Sequence, residues 1–195
     1  MTTTNEQTRE RWLERGVEEL RPVFLDAGVP LPEQLRVSVG FPSRGGVGSR
    51  KRTIGQCWPK SAADDGVGQI FISPLLADSV HVLDVLAHEA LHAAVGTACG
   101  HRGAFVRGCN AVGLTKGKPT QAGAGPELRA RLEAMADSLG PYPHAALNAN
   151  GRVKKQTTRM LKASCACGYI IRLTRTWAEQ GLPTCHCGGR FALAA

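Results

Sequence analysis

The run His88-Glu89-Ala90-Leu91-His92 places two imidazoles one helical turn apart, with a carboxylate directly after the first. On an α-helix, residues i and i+4 lie one above the other on the same face, so both rings can reach one ion. Glu89 then stands close enough to take a proton from a water at that ion, which is the pattern and the chemistry of zinc-dependent peptidases. The surrounding sequence supports the helix that the spacing requires. Residues 79–95 carry Leu83, Leu86, Ala90 and Ala94 as a core face, with Ser79 read as the N-cap and Gly96 as the C-cap.

A catalytic zinc needs a third protein ligand and one open position. His101 follows after a short segment in which Gly96 and Gly100 allow the chain to reverse. Glu127, Glu133 and His144 are the other candidates, and His81 and Asp84 share the face of His88, where either could orient an imidazole. A nucleobase deaminase is excluded by pattern. That chemistry uses HxE with a later PCxxC, whereas His88 and Glu89 are adjacent and Pro183, Cys185 and Cys187 have a different spacing.

The rest of the first 145 residues predicts an α+β unit. A helix over residues 6–26 shows an apolar stripe at Leu13, Val17, Leu20 and Phe24, with Pro22 in its last turn. Strand-like runs follow at residues 35–39, 52–58 and 69–73, and the Gly-rich stretch 43–49 reads as a hairpin loop. The run 69–73 is read as an edge strand for an extended substrate or, alternatively, as an interior strand. Further helices are expected over residues 103–112 and 126–138, the latter with Pro126 at its first position and Gly140 beyond its end.

Composition changes from Pro141 to Gly151, which reads as connecting sequence. The expected domains are residues 1–145, a linker at 146–158, and a small unit at 159–195. Residues 151–195 carry eight Lys and Arg against Glu179 alone, a net +7 within a chain of net +8. A segment this basic predicts a polyanionic partner, most simply nucleic acid.

The chain has seven cysteines, an odd number. Cys57, Cys99 and Cys109 are scattered in apolar sequence and are expected as buried thiols. Cys165 and Cys167, then Cys185 and Cys187, form two CxC-Gly pairs separated by seventeen residues. Such pairs read as a four-thiolate structural zinc site on a small β-ribbon, although ribbons more often use CxxC. His186 is an alternative ligand. Between the pairs, residues 169–177 alternate apolar and basic side chains; in so small a unit Tyr169 and Trp177 are expected in the core, with stacking on a base as the alternative.

These motifs together resemble the SprT-like (Spartan-type) metallopeptidases, particularly the compact forms of bacteria and their phages. The resemblance rests on Ile70-Phe71-Ile72-Ser73-Pro74, on the HExxH run, on Gly100-His101-Arg102-Gly103-Ala104-Phe105 and on the C-terminal cysteine pairs. It spans about residues 10–190 and departs from the family at the CxC pairs and at Arg102, where glycine is more usual. It implies a zincin-like fold, His88, His92 and His101 as catalytic zinc ligands, and Glu89 as the catalytic residue. It further implies Cys165, Cys167, Cys185 and Cys187 as a zinc ribbon, and action on proteins bound to DNA. A non-catalytic zinc-ribbon adaptor for nucleic acid is the competing expectation. No apolar run approaches the roughly 18 residues of a membrane span, and the polar N-terminus lacks a secretory segment. A cytoplasmic protein without membrane association is expected.

Overall fold

The computed structural model describes residues 8–43, 52–148 and 160–193. The chain separates into two compact units, residues 1–149 and 150–195.

In the first unit, α1 (Arg9–Asp26) begins at Thr8, whose hydroxyl accepts the Arg11 N–H. Its buried face is Trp12, Leu13, Gly16, Val17, Leu20, Val23 and Phe24. A three-stranded sheet follows, built from β1 (Leu35–Val39), β2 (Gly55–Trp58) and β3 (Gly68–Ile72) in the order β1-β3-β2. β1 runs parallel to β3 and β2 antiparallel to it. This order corrects one expectation and decides between two readings of another run. β1 and β2 are not neighbours, so the Gly-rich stretch between them closes no hairpin between paired strands; residues 44–51 themselves lie outside the described residues. The run 69–73 is interior, because β3 has a partner on each side. Among the described residues, the unpaired edges belong to β1 and β2.

Val37, Ile70 and Ile72 point from the sheet into the core. Against them packs α2 (Ser79–Val95), whose Val82, Leu83, Val85, Leu86, Ala87, Ala90 and Leu91 are buried. The N-cap of α2 is Asp78, not Ser79: the Asp78 carboxylate accepts the His81 N–H at 2.8 Å. A carboxylate at the positive end of the helix dipole is a stronger acceptor than a hydroxyl. Ser79 instead accepts the Tyr142 N–H at 2.9 Å. Two further helices, α3 (Ala104–Val112) and α4 (Pro126–Leu139), complete the layer.

The chain beyond α4 is strapped to this unit rather than free. Trp12 Nε1–H donates to Gly140 O at 2.9 Å, Tyr142 is buried edge-on against Trp12, and Leu147 N–H donates to Pro74 O at 2.9 Å. His144 lies 2.8 Å from Pro74 O through Nε2. The connecting sequence expected from Pro141 thus begins later, and its residues 149–158 lie outside the described residues.

The second unit is a ribbon of β4 (Leu161–Cys165), β5 (Ile170–Leu173) and β6 (Phe191–Leu193), antiparallel in the order β5-β4-β6. A short helix, α5 (Arg175–Gln180), is capped by Thr174. Among the described residues, the core of this unit is Ala163, Cys165, Cys185 and Phe191, with Ile171, Leu173 and Leu182 against them.

Leu86 is fully buried where α2 meets Gly16 of α1. Leu86→Ala is expected to destabilise the first unit by about 2–5 kcal/mol, read as a lower urea midpoint. Leu25→Ala, at a residue 66% exposed, is expected to change stability by less than about 0.5 kcal/mol.

Candidate metal centres

α2 presents its apolar residues to the core and keeps one stripe, His81, Asp84, His88 and His92, for a cleft of about 650 Å³. The opposite wall of the cleft is residues 52–57, which include the start of β2, and residues 120–123 close a third side.

His88, His92 and His101 meet on its floor. Gly96 and Gly100, at φ +86° and +53°, bracket a single 3-10 turn that turns the chain back and returns His101 to the helix. His101 Nε2 is 3.3 Å from His88 Nε2 and 3.1 Å from His92 Nε2. Nitrogen ligands about 2.0–2.1 Å from a tetrahedral ion stand about 3.3 Å apart, so these separations fit one shared ion. All three imidazoles are held below the usual histidine pKa. Burial is the first cause in each; His92, pushed down to about 3, also feels His88 and His101. Uncharged rings are the form that ligates metal.

The lone pair of His88 is oriented from outside the cluster. Its Nδ1 lies 2.9 Å from Ala122 O, and a carbonyl can only accept. Nδ1 therefore carries the proton and Nε2 is the bare nitrogen that faces His101. His92 is set by packing: the Phe105 ring stacks on it at a centroid distance of 4.1 Å and 24° between planes. Phe105, fully buried at the start of α3, also lies against His88 and His101.

Glu89 is 7% exposed at the seam between α2 and β2. Burial pushes its carboxyl up to about 7, partly offset by the Cys57 backbone N–H that donates to it. The approach of β2 requires glycine at position 55. A Cβ there would stand 2.7 Å from both Cγ and Oε1 of Glu89.

The other candidate ligands lie elsewhere. Glu127 and Glu133 are exposed, and Glu133 pairs with Arg129. His144 is tied to Pro74 and to Arg9. Asp84 does not touch a ligand imidazole; its Oδ1 accepts the Ala124 N–H at 2.7 Å. Of the three scattered thiols only Cys109 is buried, whereas Cys57 and Cys99 are partly exposed.

The second centre consists of Cys165, Cys167, Cys185 and Cys187. Cys165 and Cys187 are 3.6 Å apart at sulfur, as are Cys167 and Cys185. Thiolates about 2.3 Å from a tetrahedral ion would be separated by about 3.8 Å. Each pair sits in the same turn. Gly168 N–H donates to Cys165 O and Gly188 N–H to Cys185 O, while the cysteine N–H donates to Tyr169 O and Gly189 O respectively. The Gly189 N–H and the neighbouring thiols hold Cys187 down at about 7. His186 Nδ1 lies 3.5 Å from Cys185 Sγ, beside the centre rather than in it. Both centres could therefore hold a metal ion.

No protein-family model, curated protein or solved structure matches this chain.

Tyr169 and Trp177, expected in the core, are 54% and 62% exposed. The strand ends at Leu173, and Trp177 stands on α5, so the alternation expected over residues 169–177 stops halfway. Lys162 and Arg172 are cross-strand partners on the exposed face of the ribbon, with exposed Ile170 next along the strand pair.

Sequence reasoning missed Phe105, Gly55 and the Ala122 carbonyl as parts of the first centre. Only Phe105 had a sequence signal, a large apolar residue four positions after His101.

Metal analysis of the intact chain should find two ions. His101→Ala should retain only the cysteine-bound ion under chelator-buffered conditions, and Cys185→Ser only the other. Retention of both ions by His101→Ala would show that His101 is not a ligand.

Proposed function

We propose that the chain is a zinc-dependent endopeptidase of the SprT-like type, zincin-like in its first unit and a zinc ribbon in its second, that acts on nucleic-acid-associated proteins. The observation that carries the proposal is the convergence of three uncharged imidazoles beside a buried carboxylate in an open cleft. Three nitrogen ligands with room for a fourth position suit catalytic zinc, and four thiolates suit structural zinc.

A bound zinc would supply Lewis acidity, acidifying water and polarising a carbonyl at neutral pH. The protein's own residues do the rest. Glu89, with its carboxyl near 7, accepts the water proton and returns it to the leaving nitrogen. β2, with its free edge beside the cleft, can pair with an extended peptide and align the scissile bond. Phe105, fully buried against all three imidazoles, excludes water from beneath them.

Support for the nucleic-acid partner comes from the second unit. Lys162 and Arg172 offer phosphate contacts, and the exposed rings of Tyr169 and Trp177 offer stacking surfaces. The same surface favours the second reading, a non-catalytic adaptor that uses zinc only structurally. A cytoplasmic location is part of the proposal. It is supported by the clustered free thiols.

The deciding assay gives the full chain casein and a DNA-bound protein, with and without DNA. Glu89→Gln should cut the rate by at least about 10²-fold; cleavage at the wild-type rate would remove Glu89 as the base, and no cleavage by either would favour the adaptor. Binding to single-stranded DNA should weaken steeply with added salt. Trp177→Ala should cost about 1–3 kcal/mol of that binding if its ring stacks on a base.

A further inference from the structure

Asp84 lies one turn before His88 on the same face of α2 and faces the cleft; its charge is felt at His88, but it is hydrogen-bonded to none of the three histidines. Its carboxylate reaches the loop that precedes α4. Oδ1 accepts the Ala124 N–H at 2.7 Å, and Gly123 packs against the same carboxylate, where an added Cβ would stand 3.0 Å from Oδ2. Two residues upstream, Ala122 offers the carbonyl that accepts the His88 Nδ1–H.

The Ala122 carbonyl directly follows a single 3-10 turn, Pro119–Gln121, and its peptide is held by the Gly123 N–H, which donates to Lys116 O at 2.9 Å. A bridge joins Gly123 to Lys116, and Gly125 N–H donates to Gly113 O, so these bonds fasten the loop to itself and to the end of α3. Among the described residues, the hydrogen bonds that join the loop to α2 are the one from His88 and the one to Asp84. A carboxylate accepting a backbone N–H at this distance is a strong, charge-assisted contact. It anchors the loop on the helix that carries the imidazoles, and leaves the Ala122 oxygen aimed at Nδ1.

We propose that Asp84 is a positioning residue of the three-histidine centre. Through Ala124 and Ala122 it holds His88 in the Nδ1–H tautomer, with the Nε2 lone pair turned to the ion. The inference rests on reading that centre as a metal site and does not depend on peptidase activity. Partners of this kind typically change metal affinity 10- to 100-fold when removed.

The test uses the full chain and two readouts. The first is zinc affinity at the histidine centre, measured by chelator competition with the cysteine centre already loaded. The second is the His88 tautomer in the metal-free protein, read from long-range proton–nitrogen NMR correlations. Asp84→Ala should weaken zinc at the histidine centre by about 10- to 100-fold, leave the cysteine centre unchanged, and give mixed His88 tautomers. Asp84→Asn keeps an acceptor for Ala124 and should restore affinity to within about threefold of wild type. Should Asp84→Ala fail to fold, Gly123→Ala decides. Its Cβ crowds the carboxylate and should shift both readouts in the same direction by a smaller factor.

Wild-type affinity and a pure Nδ1–H tautomer in Asp84→Ala, or in Gly123→Ala where that variant decides, would overturn the proposal. Asp84→Asn as weak as Asp84→Ala would overturn the hydrogen-bond route and leave charge as the cause. Failure of the metal reading itself looks different: wild type would bind no zinc at the histidines, while the tautomer comparison would still report on Asp84.

Discussion

Three imidazole lone pairs aimed at one point repel one another, and much of the first unit serves to keep them there without a proton. Neutral rings are enforced by burial, which pushes His92 down to about 3. Their directions are enforced separately: the Ala122 carbonyl orients His88, the Phe105 face orients His92, and a glycine-bracketed turn delivers His101. A cation at the centre turns this repulsion into attraction, which is why the cluster makes chemical sense as a ligand set and little sense as packing.

The same helix must be a core element and a reactive surface. Seven of its apolar residues are buried, and the helix is fixed by the sheet on one side and by its neighbouring helices on others. What remains is a single stripe, and that stripe is polar. Glu89 falls just off it, at the junction with β2, where side-chain bulk at position 55 would collide with its carboxylate. The close strand removes water from Glu89 and raises its proton affinity, while the Cys57 N–H limits the rise. One backbone approach therefore shapes the cleft wall and the basicity of the carboxylate together.

The four helices of the first unit and the candidate ligand residues were legible in the sequence because they depend on residue type at short, fixed spacings. HExxH, the apolar stripe of α1, and Pro126 and Gly140 at the ends of α4 are all local signals. Strand order is not local. Nothing in residues 69–73 distinguishes an interior strand from an edge, and the interior position of β3 emerges only when β1 pairs with its edge opposite β2. The Ala122 carbonyl is illegible for a different reason, since every residue carries one and only the folded loop selects it. Asp84 carried a sequence signal, but its spacing suggested direct contact with an imidazole, whereas the structure interposes a loop.

The second unit fails the expectation about its aromatics for a reason that its turns explain. Two equivalent turns, one at Cys165 and one at Cys185, bring four thiols to near-tetrahedral separations, and two of those cysteines are themselves half of the buried core. Candidate ligand set and hydrophobic core therefore overlap at Cys165 and Cys185. In a unit this small, aromatic side chains are ordinarily drawn inward because nothing else can fill the centre. A metal ion held by the four sulfurs would take over that role; structural zinc in such small units is worth about 10–16 kcal/mol. Tyr169 and Trp177 would then not be needed inside, and both rings stand exposed at the surface of the unit.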